Sequence, residues 1–350
     1  MANNRFVLGI ISSCIVLAVA GVQSLMAQPP KTLVSEDYFV KASDPGIQIF
    51  VRNKHLKGVR NFASEKIVLF VHGSTYPADT SFDLPLDGLS WMDYIAQRGF
   101  DVYLLDLRGY GRSTRPPEMD QPAEKNPPIV TTDVAVRDVA SVVDNILARR
   151  KVSKINLIGW SWGTTIMATY TTQNNAKVEK LVLYAAQWLR TTPPLTASGY
   201  GPLGAYRTVT MNSAKNRWLT GVPENKKADL IPAGWFEQWA AATQDTDSFG
   251  AAQNPPVLRA PNGTVQDSRE FWMKGKPVYD PALITVPVLL VNAEWDSDTP
   301  PHMAQTVFEK LVNAPYKRRI LISEGTHTVI MEKNRMQLFR EVQLFLEEPR

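Results

Sequence analysis

Residues 155–170 read INLIGWSWGTTIMATY. An apolar run, Ile155 to Ile158, ends in Gly159-Trp160-Ser161-Trp162-Gly163, and a helical pattern resumes at once. A buried strand that turns sharply into a helix, with serine at the apex and glycine two residues to either side, is a nucleophile elbow. The serine takes strained backbone angles so that its hydroxyl stands clear, and side chains at the glycine positions would collide. The helix starting at Trp162 also points the positive end of its dipole at the serine, which favours negative charge developing there. Gly-x-Ser-x-Gly alone is common. Its position between a strand and a helix makes Ser161 the candidate nucleophile.

Outward from this turn, strands alternate with helices. Lys66–Val71, Asp101–Leu105, Lys154–Ile158, Lys180–Tyr184, Val286–Val291 and Arg319–Ile322 are short runs rich in aliphatic and β-branched residues, as expected of parallel strands buried on both faces. Helical spacing of apolar residues marks Asp87–Arg98, Asp133–Arg150, Thr164–Gln173, Pro301–Val312 and Glu332–Glu347. Such alternation implies a doubly wound α/β sheet with ligands at the carboxyl ends of its strands. Tyr38–Lys41 and Gln48–Val51, on either side of the turn signal Asp44-Pro45-Gly46, read as an antiparallel hairpin at the sheet edge.

The 350 residues, 44% hydrophobic and 21% charged, suit one globular unit with an inserted subdomain rather than a disordered or fibrous chain. The formal net charge of +4 is spread among interleaved acids and bases, which argues against nucleic acid as a partner. At the N-terminus, Arg5 precedes a run of 15 largely apolar residues, Phe6 to Ala20, and Ala27 offers a small residue for cleavage. Residues 1–27 thus read as a signal peptide, which implies a periplasmic or secreted protein with no membrane contact after cleavage. The apolar run falls short of the ~20 residues a membrane-spanning helix needs. Cys14 is the sole cysteine, so the mature chain is expected to hold no disulfide and no cysteine metal site.

From Gln187 to about Ala282 the strand pattern stops. Pro and Gly punctuate short helical pieces, and five of the nine tryptophans appear there: Trp188, Trp218, Trp235, Trp239 and Trp272. The organisation expected is a core over 28–186 and 283–350, with a helical cap at 187–282 covering the carboxyl edge of the sheet. The tryptophans give the cap its own core, and a few line a pocket from above. Arg115–Pro128, with five prolines, reads as an irregular surface loop.

A serine hydroxyl needs a base, and the chain has four histidines. His55 precedes the first parallel strand, His72 ends a strand, and His302 opens a helix. His327, in LISEGTHTV after the last strand, lies after both the serine and the acid, the order this fold uses. It is the candidate base, with His302 as fallback. The acid should follow Val286–Val291, where Glu294, Asp296 and Asp298 stand. Asp298 or Thr299 could cap the helix that begins at the following prolines, which leaves Asp296 as first choice and Asp298 as second. Asp106, in LDLRGYGRS, reads as a turn-stabilising carboxylate. The oxyanion donors expected are the backbone N–H groups of Trp162 and Ser74, with Thr75 in place of Ser74 if the loop is shifted by one residue.

Taken together, VHG after a strand, DLRGYGRS, GWSWG, VNAEWDSDTPP and GTHTV resemble the α/β-hydrolase superfamily over most of the mature chain. The resemblance implies an eight-stranded, mostly parallel sheet with helices on both faces and a helical cap after the sixth strand. Within the superfamily, Trp162 after Ser161 resembles the Gly-x-Ser-Trp-Gly of proline iminopeptidases. Where those enzymes usually carry His-Gly-Gly-Pro-Gly, this chain has His72-Gly73-Ser74-Thr75-Tyr76. Epoxide hydrolases and haloalkane dehalogenases usually place Asp at the elbow, unlike Ser161.

The function expected is hydrolysis of a carboxylic ester of a small or medium, partly apolar substrate through an acyl-enzyme, with no metal and no organic cofactor. Amidase or aminopeptidase activity, carbon-carbon bond hydrolysis of β-diketones, and a binding protein without catalysis are the alternatives.

Overall fold

The computed structural model describes Met1, residues 32–197 and residues 201–349. The segment read as an export signal lies outside the described residues, apart from Met1.

In chain order the strands are β1 (Leu33–Lys41), β2 (Gln48–Leu56), β3 (Ile67–Val71), β4 (Asp101–Leu105), β5 (Ile155–Trp160), β6 (Val178–Tyr184), β7 (Tyr206–Val209), β8 (Leu258–Pro261), β9 (Val288–Ala293) and β10 (Lys317–Ile322). Eight of them form one sheet in the order β1-β2-β4-β3-β5-β6-β9-β10. Only β2 runs against its neighbours, so the hairpin read around Asp44-Pro45-Gly46 is present and longer than expected. Every residue of β3, β4, β5, β6 and β9 is buried, which is why these strands read as unbroken apolar runs. The outer strands β1 and β10 are partly exposed.

Side chains alternate across β5 and feed two cores. Ile155 and Leu157 pack with Val139 and Val142 of the helix Thr132–Arg150, Ile166 of Trp162–Gln173 and Val307 of Pro301–Lys310. Ile158 and Trp160 pack on the other face with Ile95 of Trp91–Ala96 and Phe339 and Phe345 of Arg335–Glu347. At roughly 25 cal/mol per Å² of buried apolar area, these two layers supply the main driving force for folding. The helix expected over Asp87–Arg98 is shorter, Trp91–Ala96. Asp87 takes a left-handed φ of 50°, and Ser90 caps the helix by accepting from the Asp93 N–H.

Between β6 and β9 the chain leaves the sheet. Its helices include Met211–Trp218, Trp235–Gln244 and Gly263–Glu270. The expectation that strands cease here is corrected by the antiparallel pair β7 and β8. Four residues each, bordered by Pro and Gly, they are too short for a period to show in the sequence. Among the described residues no helix is long and apolar enough to cross a membrane.

Candidate active site

Ser161 sits between β5 and the helix Trp162–Gln173 with φ 58° and ψ −122°, a conformation non-glycine residues rarely take. Such strain costs on the order of 1–3 kcal/mol and persists only where the surroundings enforce it. Here the Ser161 N–H donates to the Tyr184 carbonyl of β6 at 3.0 Å. The flanking glycines allow the turn. A Cβ on Gly159 would lie 2.3 Å from the Gly163 carbonyl oxygen, and one on Gly163 2.4 Å from that of Val71. The motif is therefore a packing requirement.

His327 occupies the loop after β10, held from beneath by the Trp160 Nε1–H at 3.0 Å and the Tyr184 hydroxyl at 2.7 Å, both donating to its carbonyl. Its Nδ1 lies 2.9 Å from Oδ2 and 3.0 Å from Oδ1 of Asp296, in the loop after β9. Asp296 Oδ1 also accepts from the N–H groups of Asp298 (2.9 Å) and Thr299 (2.8 Å), and Oδ2 from the Thr299 hydroxyl (2.8 Å). An ionised carboxylate only accepts, so Nδ1 is the donor, and Nε2 keeps a free lone pair. Burial pulls the His327 pKa down, but Asp296 and then Asp298 outweigh it, and the net shift is upward from the ordinary value. Ser161 and His327 line the same cleft.

Asp298 does not cap the following helix, whose N-cap is Pro300 without a side-chain bond. Instead Arg217 Nε donates to both Asp298 oxygens at 3.0 Å. Glu294 is exposed and accepts from the Glu324 N–H at 3.0 Å. His302 is exposed at the start of its helix, away from the cleft. His72 is buried as a neutral ring. Its Nδ1–H donates to the Gly73 carbonyl at 2.7 Å, its Nε2 accepts from the Leu107 N–H at 3.0 Å, and burial pulls its pKa to about 4. Asp106 accepts from the N–H groups of Ala78 (2.8 Å) and Arg112 (3.0 Å), the turn-holding arrangement its motif suggested.

Among the described residues no hydrogen bond uses the backbone N–H of Ser74 or Trp162. The Ser74 carbonyl accepts from the Tyr110 hydroxyl at 2.8 Å and from Arg207 at 2.6 Å, which pins its peptide beside the serine turn. A Cβ on Gly73 would stand 3.0 Å from Ser161 Cβ, so the two loops touch. Among the described residues, no group of three or more His, Cys, Asp or Glu side chains is placed to hold a metal ion.

A family model described as the alpha/beta hydrolase fold matches residues 66–334. The chain belongs to the α/β-hydrolase family. Among solved structures, this hydrolase is similar to an esterase from Exiguobacterium antarcticum, with a TM-score of 0.56 and 17% identity over 89% of this chain and all of that one. It is also similar to a serine hydrolase involved in carbazole degradation, with a TM-score of 0.57 and 16% identity over 89% of this chain and 99% of that one. At these identities the likeness speaks for the fold alone. Among curated sequences it is 25% identical to Protein ABHD8 of Bos taurus over 283 residues, 80% of this chain and 56% of that protein. The hydrolase thus spans about half the length of the curated relatives it matches.

Two residues near the cleft, Arg217 and Glu332, carried no sequence signal, whereas Trp218 is one of the tryptophans expected to line a pocket. Arg217 and Trp218 line the cleft from the inserted segment, the former bound to Asp298. Trp218 Nε1–H donates at 2.7 Å to Glu332, a buried carboxylate that also accepts from the Thr326 N–H at 3.0 Å and thereby ties the insertion to the histidine loop. Burial raises the Glu332 pKa to about 7. Of the five tryptophans of the insertion only Trp218 lines the cleft. Trp239 packs edge-on against Tyr76 at 4.8 Å, Trp188 and Trp272 join the core, and Trp235 lies under Arg335. The free space beside Ser161 is about 20 Å³, which is room for about one water.

Proposed function

We propose that this hydrolase is an exported serine enzyme that cleaves a carboxylic ester of a small or medium, partly apolar substrate through an acyl-enzyme, without metal or organic cofactor. The observation that carries the reading is a serine on a strained turn sharing its cleft with a histidine whose Nδ1 is 2.9 Å from a buried carboxylate. His327 Nε2 takes the Ser161 proton as Oγ attacks the carbonyl carbon, and the N–H groups of Trp162 and Ser74 receive the oxyanion. The tetrahedral adduct collapses, and the alcohol leaves with the proton from His327. Water then attacks the acyl-serine, again giving its proton to His327, and the adduct releases acid and free serine. Loss of one oxyanion donor costs about 2.7–4 kcal/mol in related chemistry. Asp296 fixes the imidazole tautomer, and residues 187–282 act as the cap over the cleft.

The test is turnover of p-nitrophenyl acetate by the mature protein and by Ser161→Ala. Hydrolysis abolished in the variant supports the assignment, and undiminished turnover overturns it. Faster turnover of Pro-p-nitroanilide or of a β-diketone than of any ester would move the activity to amide or carbon-carbon bonds.

A further inference from the structure

Arg207, on β7, donates every bond it makes to a neutral oxygen. Its terminal nitrogens reach the carbonyls of Pro261 (2.6 Å) and Ser74 (2.6 Å) and the Thr75 hydroxyl (3.0 Å), while its buried Nε has no partner. The same Thr75 hydroxyl accepts from Arg217 at 3.2 Å, so two guanidinium groups stand side by side. Asp298 neutralises Arg217. No carboxylate does so for Arg207 among the described residues, and burial, with Arg217 adding to it, lowers its pKa to about 10. Arg190, whose Nε donates to the Thr192 carbonyl, is a third cation whose pKa burial lowers near Asp298. Arg207 is half-buried, and a cation partly withdrawn from water next to another cation is unfavourable unless an anion completes the set.

A chamber of about 520 Å³ opens on Arg207 and Arg217. Arg207, Arg217, Ala214 and Asn262 line it, and Ala214 and Arg217 also line the Ser161 cleft, so the two spaces share part of a wall. Its volume is that of a small-molecule site, unlike the single-water space at the serine. Among the described residues Glu124 is the one acid on its lining.

Resting on the esterase reading above, we propose that this chamber binds the carboxylate end of the substrate, so that the preferred esters are half-esters of dicarboxylic acids, with Arg207 as the determinant of that preference. The carboxylate supplies the charge that Arg207 lacks, and the chain between carboxylate and ester passes Ala214 to reach Ser161. The attraction is one of charge, because the terminal nitrogens of Arg207 are already bonded to protein oxygens and its Nε is closed to solvent.

The experiment compares methanol release from monomethyl adipate and from methyl hexanoate, its uncharged counterpart. The wild type is expected to favour the half-ester at least tenfold in kcat/KM, mainly through KM, with the preference shrinking as salt is added. Because Arg207 also holds the Ser74 carbonyl, Arg207→Gln slows both substrates, and the ratio is what counts. It should fall toward one in Arg207→Gln and recover in part in Arg207→Lys. A wild-type ratio near one, or a ratio untouched by Arg207→Gln, overturns the proposal while leaving the esterase reading intact. If neither ester turns over, calorimetric binding of adipate decides the matter without catalysis. Binding at least tenfold weaker in Arg207→Gln supports the chamber, and equal binding, or none to wild type, overturns it.

Discussion

Replacing Asp296 by Asn keeps size and shape, reverses the direction of a hydrogen bond and removes the charge that raises the His327 pKa. Oδ1 of the carboxylate accepts two backbone N–H groups, from Asp298 and Thr299, so the amide oxygen of an asparagine must take that place. Its NH2 then occupies the position of Oδ2, facing His327 Nδ1 at 2.9 Å. A donor there forces Nδ1 to accept, the imidazole proton moves to Nε2, and no lone pair is left for Ser161. The same swap in a chymotrypsin-like triad lowers kcat by about 10⁴-fold, equivalent to about 5 kcal/mol. Asp298→Asn leaves the tautomer alone and removes one of two anions that raise the His327 pKa, so its loss of rate should be far smaller. Initial rates with p-nitrophenyl acetate at saturating concentration, on variants shown by circular dichroism to be folded, give the comparison. Asp296→Asn within tenfold of wild type, or Asp298→Asn the more damaged of the two, would refute the assignment.

Because the base works only when neutral and Asp296 and Asp298 raise its pKa, kcat/KM should climb with pH around a midpoint above the ordinary 6.5, and Asp298→Asn should move that midpoint down. A pH-rate profile with a lower midpoint in wild type, or an upward move in the variant, contradicts this. Gly163→Ala puts a methyl 2.4 Å from the Val71 carbonyl and 2.7 Å from that of His72. Urea denaturation should show a loss of ~1–3 kcal/mol or more, with activity abolished. Arg108→Met removes the guanidinium that donates at 3.0 Å to both oxygens of Asp138, whose side chain is 0% exposed. Leaving that carboxylate unpaired should destabilise the fold by ~3–5 kcal/mol in the same assay, and a loss under about 1 kcal/mol would contradict the pairing.

What could be read from the residues alone follows from how local each signal is. The strands from β3 to β6 and β9 lie buried on both faces, so their apolar runs stand out without any partner. Ser161 was legible because its requirements, a strand, two small neighbours and a helix, are contiguous. The expected triad members, Ser161, Asp296 and His327, converge at one rim because each follows the carboxyl end of a parallel strand. Interactions across the insertion left no such trace. Arg217 meets Asp298 over 81 residues, Trp218 meets Glu332 over 114, and Arg207 meets Ser74 over 133. That is why Asp298 read as a helix cap when its carboxylate belongs to Arg217. β7 and β8 escaped for a different reason, since four residues do not establish a period. The tryptophans of the insertion drew attention by their number, yet packing claims most of them.

The most direct measurement is a fluorophosphonate adduct located by mass spectrometry of proteolytic peptides. If Ser161 is the activated nucleophile, the added mass falls on the peptide containing Ser161, is absent from Ser161→Ala, and forms far more slowly in Asp296→Asn. Labelling at another residue, or an esterase that hydrolyses substrate while Ser161 stays unmodified, would contradict the assignment.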